Sequence, residues 1–172
     1  MLTERSKALQ RFERHVVSQA KRNLTTQGKN VTKELYNSIE GKVKENPNSI
    51  QLLFSMLDYG YFQDRGVKGV KSGRSLSGFH YKDKMPPASA FDKWNVRRGF
   101  APRDRGGKFT SRKGLNFAMA RHVYNYGIEP SMFFTKPFDS AFKNLPNELV
   151  EAYGLDAEKL FDEIMIQNFK KK

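Results

Sequence analysis

The sequence predicts an α+β fold in which a small antiparallel β-sheet is packed by a long N-terminal helix, with a basic loop-rich insertion and C-terminal helices. Three observations predict it: a helical apolar stripe near the start, two alternating stretches around a turn, and a central stretch rich in glycine and basic residues. A chain of 172 residues suffices for one core. We therefore expect a single domain over 1–172, with the insertion at about 65–114 and a C-terminal helical extension at about 146–172.

The N-terminal stretch is predicted to form an amphipathic helix that ends at Gly28. Apolar residues recur there at steps of three and four, and basic residues fill the other faces. The apolar positions are Leu9, Phe12, Val16, Ala20 and Leu24. The Thr3 hydroxyl is placed to accept hydrogen bonds from the amides of the first turn. A second short helix is expected from Thr32 to about Ser38, with Leu35 and Ile39 facing inward.

Alternating polarity predicts a β-hairpin in the next stretch. Apolar or small residues alternate with charged ones on the first strand, and Asn46-Pro47-Asn48 supplies a turn. The inward positions are Ile39, Gly41 and Val43 on one strand and Ile50, Leu52, Phe54 and Met56 on the other. Each strand has one apolar face, so the sheet needs a cover, and the stripe of the first helix is expected to provide it.

The stretch from Arg65 to Gly114 carries most of the positive charge. It holds 14 basic and 3 acidic residues, which gives +11 of the chain's net +13. Pro86-Pro87 before Phe91 and Trp94 predicts a short helix, and the glycine-rich flanks are interpreted as loops. Two interpretations stay open: a solvated loop, or a surface that meets DNA phosphates or an acidic neighbour. The candidate contacts with DNA backbone or subunits are Lys68, Lys71, Arg74, Arg97, Arg98, Arg103, Arg105, Lys108, Arg112 and Lys113.

The C-terminal third is predicted to be mainly helical. Helical spacing resumes at Leu115 and runs to Tyr126, with His122 on the packing face and Gly127 as a left-handed cap. Met132-Phe133-Phe134 is expected to form a short strand or extended segment, and Phe138 to Leu145 another helical stretch. A final amphipathic helix opened by Asp156 is expected. Its apolar residues are Leu160, Phe161, Ile164 and Met165, and Lys170 to Lys172 form a frayed tail.

The sequence does not predict an enzyme. The chain has no cysteine, and its three histidines fall in three different predicted elements. Asp58 and Asp64 are close enough along the chain to be considered as a nuclease pair, but Asp58-Tyr59-Gly60 has the composition of a turn in which glycine takes a positive φ. We expect no catalytic residue, no metal site and no cofactor. No apolar run has the roughly 20 residues that span a bilayer, so a soluble protein made inside the cell is expected.

Three segments, in order, resemble the tail-completion or neck proteins of tailed bacteriophages. The first is Thr32-Lys33-Glu34-Leu35-Tyr36-Asn37-Ser38-Ile39, in which lysine stands where the family usually has glycine. The second is Leu57-Asp58-Tyr59-Gly60-Tyr61-Phe62-Gln63-Asp64-Arg65-Gly66. The third runs from Phe117 through Tyr126-Gly127 to Pro130 and is followed by Phe133-Phe134-Thr135-Lys136-Pro137-Phe138. Together they span the chain up to about Phe142, apart from the insertion.

The resemblance implies a structural virion protein. Its members form oligomeric rings at the head-to-tail interface, around the DNA channel, as adaptors, stoppers or tail terminators. The implied partners are other copies of the chain, the portal, other neck or tail proteins, and packaged double-stranded DNA held without sequence specificity; no membrane is expected. The implied location is the virion neck or tail, after assembly in the host cytoplasm. Candidate interface aromatics are Tyr59, Tyr61, Phe62 and Trp94. The alternative hypothesis is a small basic DNA-binding or DNA-processing protein, which rests on charge alone.

Overall fold

The computed structural model describes residues 4–46, 49–71 and 73–145, and over these ranges it confirms the α+β class. The chain divides into two compact units: unit 1 contains Met1–Asp64 and Met132–Lys172, and unit 2 contains Arg65–Ser131. Unit 2 begins where the insertion was predicted to begin and continues beyond Gly114. The elements are α1 Glu4–Thr26, α2 Glu34–Ser38, β1 Glu40–Asn46, β2 Ser49–Ser55, α3 Tyr59–Arg65, β3 Val67–Lys68, a 3-10 turn Ala88–Phe91, α4 Asp92–Arg97, α5 Arg112–Tyr126, β4 Gly127–Ile128 and α6 Thr135–Phe142.

Helix α1 has the predicted apolar stripe on its buried side. All five predicted stripe residues, from Leu9 to Leu24, are buried. The helix ends as predicted at Gly28, whose φ is +63°. The Lys29 amide donates to the Leu24 carbonyl at 2.8 Å and the Gly28 amide to the Thr25 carbonyl at 3.0 Å, the two bonds of a Schellman motif. Because only glycine adopts this conformation without strain, Gly28 fixes the end of α1.

The predicted hairpin and its helical cover are both confirmed. Strands β1 and β2 pair antiparallel, with Gly41 opposite Phe54. The Phe12 ring of α1 meets the Phe54 ring edge-on at 6.3 Å between centroids, and the two side chains are buried. Gly41 allows this approach, since a Cβ there would lie 2.3 Å from a Glu13 carboxylate oxygen. Burial beside the strand raises the pKa of Glu13, while nearby Arg14 lowers it.

Three phenylalanines complete the core of unit 1, and their setting differs from the prediction. Phe133, Phe134 and Phe138 are each at most 1% exposed. Phe133 and Phe134 form a turn that leads into α6, and the predicted strand or extended segment there was wrong. The Asp64 carboxylate explains the turn. It accepts from the Phe134 amide at 2.8 Å, from the Thr135 amide at 3.2 Å and from the Thr135 hydroxyl, so it caps the start of α6.

Gly60 also has a different role from the predicted one. It is buried within α3 and has no positive φ, so the predicted positive φ was wrong, although Asp58 lies in a turn and the Gly60 amide donates to the Leu57 carbonyl at 2.8 Å. A Cβ at Gly60 would lie 2.7 Å from the Met56 sulfur and 2.8 Å from a Leu35 methyl carbon. The glycine therefore lets α3 pack closely against α2 and the end of β2.

Unit 2 is built around α5, which packs against the 3-10 turn and α4. The short helix after Pro86-Pro87 is confirmed as the 3-10 turn followed by α4. Helix α5 begins at Arg112, earlier than predicted, with the Ser111 hydroxyl accepting from the Lys113 amide at 3.2 Å. Its buried residues are Asn116 and Ala120, whereas His122 is exposed and its ring lies 4.9 Å from that of Tyr126 at a tilt of 43°, so its assignment to a packing face was wrong.

Hydrogen bonds between buried asparagine side chains explain which face of α5 points inward. The Asn95 side chain donates to the Asn116 carbonyl oxygen at 2.5 Å, and Asn116 in turn donates to the Asp92 carboxylate at 3.1 Å. A buried polar group without a partner is costly, so the pairing of two polar groups turns Asn116 inward and His122 outward.

Strand β4 follows α5 directly and pairs antiparallel with β3. The C-cap of α5 is Gly127, as predicted, although its φ of +81° comes with a ψ of −163° rather than left-handed helical values. A Cβ there would lie 2.0 Å from the Val67 carbonyl oxygen, which leaves room for glycine alone. No helix in the described part of the chain is both long and apolar enough to cross a membrane. The predictions for Thr3, for the turn at Pro47-Asn48, and for the helix and tail within 146–172 lie outside the described residues.

Candidate nucleic-acid interface

Positive charge is concentrated in unit 2. Its 67 residues include 15 basic and 4 acidic side chains, a net charge of +11, whereas unit 1 carries 16 basic and 14 acidic ones. Histidines are counted as neutral in these totals. A field of one sign attracts polyanions over about a Debye length, roughly 8–10 Å in physiological salt. Unit 2 is therefore the better candidate for contact with a polyanion such as nucleic acid.

All ten predicted cationic contact residues are exposed. They fall in four places: β3 and the chain after it, the end of α4, the loop before α5, and the first turn of α5. Four further exposed cations of unit 2 were not among the sequence candidates: Lys82, Lys84, Lys93 and Arg121. These four residues lie outside the glycine-rich stretches, as Arg97 and Arg98 also do, and the net charge of the whole unit is the signal that could have indicated them.

The loop before α5 has a defined structure, in contrast to the irregular loop expected from its glycines. Arg103 and Phe109 form an antiparallel bridge, and the Thr110 amide donates to the Pro102 carbonyl at 2.9 Å. The Asp104 side chain accepts from the Lys108 amide at 2.9 Å. The Arg103 guanidinium lies 3.9 Å from the centre of the Phe109 ring and donates to the Gly107 carbonyl at 2.9 Å. These contacts hold Arg103 in place while Arg105 and Lys108 project from an exposed tip.

Backbone hydrogen bonds join the segment of Lys68 and Lys71 to two neighbouring segments, one at residues 79–81 and one at the end of α5. The Lys68 amide donates to the Phe79 carbonyl at 3.0 Å, and the Tyr81 amide donates to the Lys68 carbonyl at 2.9 Å. The Lys71 amide donates to the Asn125 carbonyl at 2.9 Å, near the end of α5. The backbone at Lys68 and Lys71 is therefore hydrogen-bonded within unit 2. Both side chains are exposed, so their ammonium groups can extend into solvent.

Exposed aromatic side chains lie beside several of these cations. Trp94 is half-buried, and its ring lies 5.5 Å from that of Phe100 and 5.4 Å from the Arg98 guanidinium. Phe109 is 63% exposed, the largest value among the large apolar residues identified as exposed. Flat rings beside cations are suited to nucleobases and sugars as well as to apolar side chains of a partner.

The other three predicted interface aromatics belong to α3 in unit 1. Tyr59 is 45% exposed, whereas Tyr61 and Phe62 are half-buried and their rings meet at 5.7 Å. Tyr61 packs against the core cluster. Partial burial, with a smaller contribution from Glu34, raises the pKa of Tyr59. Of these three residues, Tyr59 is the most exposed.

Asp64, which was considered as one member of a nuclease pair, has a structural role. Asp64 is fully buried and accepts three hydrogen bonds at the start of α6. Within residues 4–46, 49–71 and 73–145, no three carboxylate or histidine side chains converge as a metal site would require. Comparison of the chain with protein-family models, with curated proteins and with solved structures finds no match.

Proposed function

We propose that this chain is a structural subunit of a tailed bacteriophage particle. It forms an oligomeric ring in the neck that joins the portal to the tail, and unit 2 contacts the phosphates of the DNA in the channel. The observation that carries the proposal is the separation of charge, with +11 on unit 2 and a nearly balanced unit 1. A ring subunit needs a rigid body for contacts with its neighbours and a cationic surface for the DNA it surrounds.

Several residues of the three segments that resemble neck proteins have packing roles in unit 1. Leu35 and Ile39 of the first segment are core residues. Gly60 of the second segment permits close helix packing, and Asp64 binds Thr135 of the third segment. Parts of all three segments thus take part in the packing of unit 1, whereas Phe117–Pro130 of the third segment lies in unit 2.

The form of the cationic surface favours binding to the DNA backbone over reading of bases. Most of its cations lie on loops and helix ends, and in the described part of unit 2 the long helix α5 has exposed cations only in its first turn and at Arg121. Phosphate contacts of this kind bind strongly, exchange readily and weaken with salt. These properties suit a channel through which DNA must pass.

Purified virions and the purified chain test the ring proposal. Mass spectrometry of virions from the phage that encodes the chain is expected to detect it, in a fixed copy number per portal. Negative-stain images and sedimentation of the purified chain are expected to show closed rings at micromolar concentration. If the chain is absent from intact virions, or remains a monomer with and without its portal, the proposal is wrong.

The concentrated charge alone also favours the second candidate, a small basic DNA-binding or DNA-processing protein that works outside the particle. Filter binding to duplex DNA across a salt series tests the DNA contact shared by both candidates. Replacement of Arg103, Arg105 and Lys108 by alanine is expected to reduce the slope of log K against log salt by up to about 3. The matched control replaces Lys33, Lys42 and Lys44 of unit 1 and is expected to leave the slope nearly unchanged. Equal effects of the two triple variants would contradict the assignment of DNA contact to unit 2.

A further inference from the structure

The loop before α5 closes as a short hairpin at residues 102–110, which we call the basic hairpin. Its two arms are joined where Arg103 pairs with Phe109 and where the Thr110 amide donates to the Pro102 carbonyl at 2.9 Å. Every residue from 103 to 110 is exposed. Because the hairpin is already hydrogen-bonded across its base, a ligand that binds it does not have to order a flexible loop first.

The tip of the basic hairpin is slender. The Gly107 amide donates to the Asp104 carbonyl at 3.0 Å, which closes a four-residue turn with Arg105 and Gly106 at its centre. Gly107 has a φ of +82°, a conformation that favours glycine. No atom lies within 4 Å of a Cβ built at Gly107, and one at Gly106 would meet only the Asp104 carboxylate. The two glycines therefore leave little more than backbone beside the Arg105 side chain.

Arg105 is the cation that this tip offers to a ligand. The Asp104 carboxylate accepts from the Lys108 amide at 2.9 Å, and the Arg103 guanidinium donates to the Gly107 carbonyl at 2.9 Å. These two charged side chains are thus engaged by the hairpin itself. Within the described residues, no hydrogen bond or ion pair engages the Arg105 side chain. The hairpin therefore carries a fixed backbone with one long cationic side chain at its end.

Such a tip suits the minor groove of duplex DNA. That groove is roughly 6 Å wide, whereas the major groove, roughly 12 Å wide, admits a helix or a two-stranded ribbon. Narrow minor grooves at A·T tracts have an enhanced negative potential that attracts arginine. The guanidinium is also more weakly hydrated than an ammonium group, so it loses less when it leaves water. A slender tip with a single arginine matches these requirements.

We propose that the basic hairpin enters the minor groove of duplex DNA, with the Arg105 guanidinium between the two sugar-phosphate strands and Lys108 at a flanking phosphate. The inference rests on the proposed DNA contact of unit 2, and it adds the groove that is contacted and the residue that enters it. The contact senses the width of the groove instead of individual bases. DNA of any sequence therefore still binds, and A·T tracts bind more tightly.

Fluorescence anisotropy of the full chain with two duplexes of equal length tests the proposal. One duplex has a central A·T tract, and the other consists of G·C pairs. At one salt concentration, the chain is expected to bind the A·T duplex roughly three- to tenfold more tightly. Arg105→Lys keeps the charge, so it is expected to remove most of this preference and to leave the salt dependence of binding nearly unchanged. The control Arg97→Lys, at an exposed position of α4, is expected to retain the preference.

Distamycin, a small ligand of the A·T minor groove, adds an independent measurement. It is expected to weaken binding of the unmodified chain to the A·T duplex, and to weaken binding of Arg105→Lys much less. Equal affinity of the unmodified chain for the two duplexes would overturn the inference, as would a full preference in Arg105→Lys; the DNA contact of unit 2 would stand in both cases. Failure to bind either duplex at low salt would instead overturn the DNA contact itself, and the inference with it.

Discussion

Lys33 is one of two residues other than glycine with a positive φ in the described part of the chain. Its φ is +56°, in the left-handed region just before α2. A side chain with a Cβ costs roughly 1–2 kcal/mol in this conformation, whereas glycine adopts it freely at some cost in unfolded-state entropy. We expect Lys33→Gly to raise the free energy of unfolding by about 0.5–1 kcal/mol, measured by urea denaturation. The control Lys44→Gly, in β1 and without positive φ, should lower it by roughly the same amount.

Asp64 shows how a buried carboxylate can be structural. Replacement by alanine would leave the Phe134 and Thr135 amides without their acceptor in a buried site. We expect Asp64→Ala to cost about 2–4 kcal/mol and Asp64→Asn about half as much, since an amide oxygen still accepts. Asp139→Ala, at an exposed position of α6, should change stability by less than about 0.5 kcal/mol. Equal losses at positions 64 and 139 would refute the capping role.

Two glycines lie within helices but differ in the space around them. Gly60 in α3 has no room for a Cβ, whereas Gly114 in α5 has no neighbouring atom within 4 Å of one. Gly60→Ala is expected to destabilise by about 1–3 kcal/mol through overpacking against Leu35 and Met56. Gly114→Ala is expected to stabilise by about 0.5–1 kcal/mol, because alanine is the better helix former. Thermal unfolding measures the change in stability of each variant. A change of the same sign in both would contradict the packing described.

Elements whose residues repeat with one period could be predicted from the sequence. The stripe of α1 and the alternation of β1 and β2 each specify which side is buried, and both predictions are confirmed. The Phe133-Phe134 turn and the buried face of α5 could not be predicted in this way. In both places a hydrogen bond from a residue distant in the sequence outweighs the local hydrophobic pattern. Asp64 caps α6 after the Phe133-Phe134 turn, and Asn95 pairs with the inward-facing Asn116 of α5.

At the scale of the whole molecule, the uneven charge has consequences for stability as well as for binding. Like charges on unit 2 repel one another, and salt screens that repulsion. Raising salt from 0.05 to 0.5 M is therefore expected to increase hydrogen-exchange protection of α5 amides by roughly 0.5–1 kcal/mol. Amides of α1, in the nearly neutral unit, are the internal control and should change less. DNA affinity should fall over the same range. Loss of α5 protection with salt would mean that repulsion is not the dominant electrostatic effect in unit 2.

The α+β class, the helix that covers the hairpin, the concentration of charge after residue 65 and ten of the fourteen exposed cations of unit 2 could all be predicted from the sequence alone. These follow from periodicity and composition, which act locally along the chain. Four features could be seen only in the folded chain: α5 belongs to unit 2, Asp64 caps α6, Gly60 is a packing residue, and the loop at Arg103 has a defined structure. Each of these features depends on atoms that come from distant parts of the sequence. The free energy of such contacts depends on distance and burial, and neither can be derived from the local order of residues.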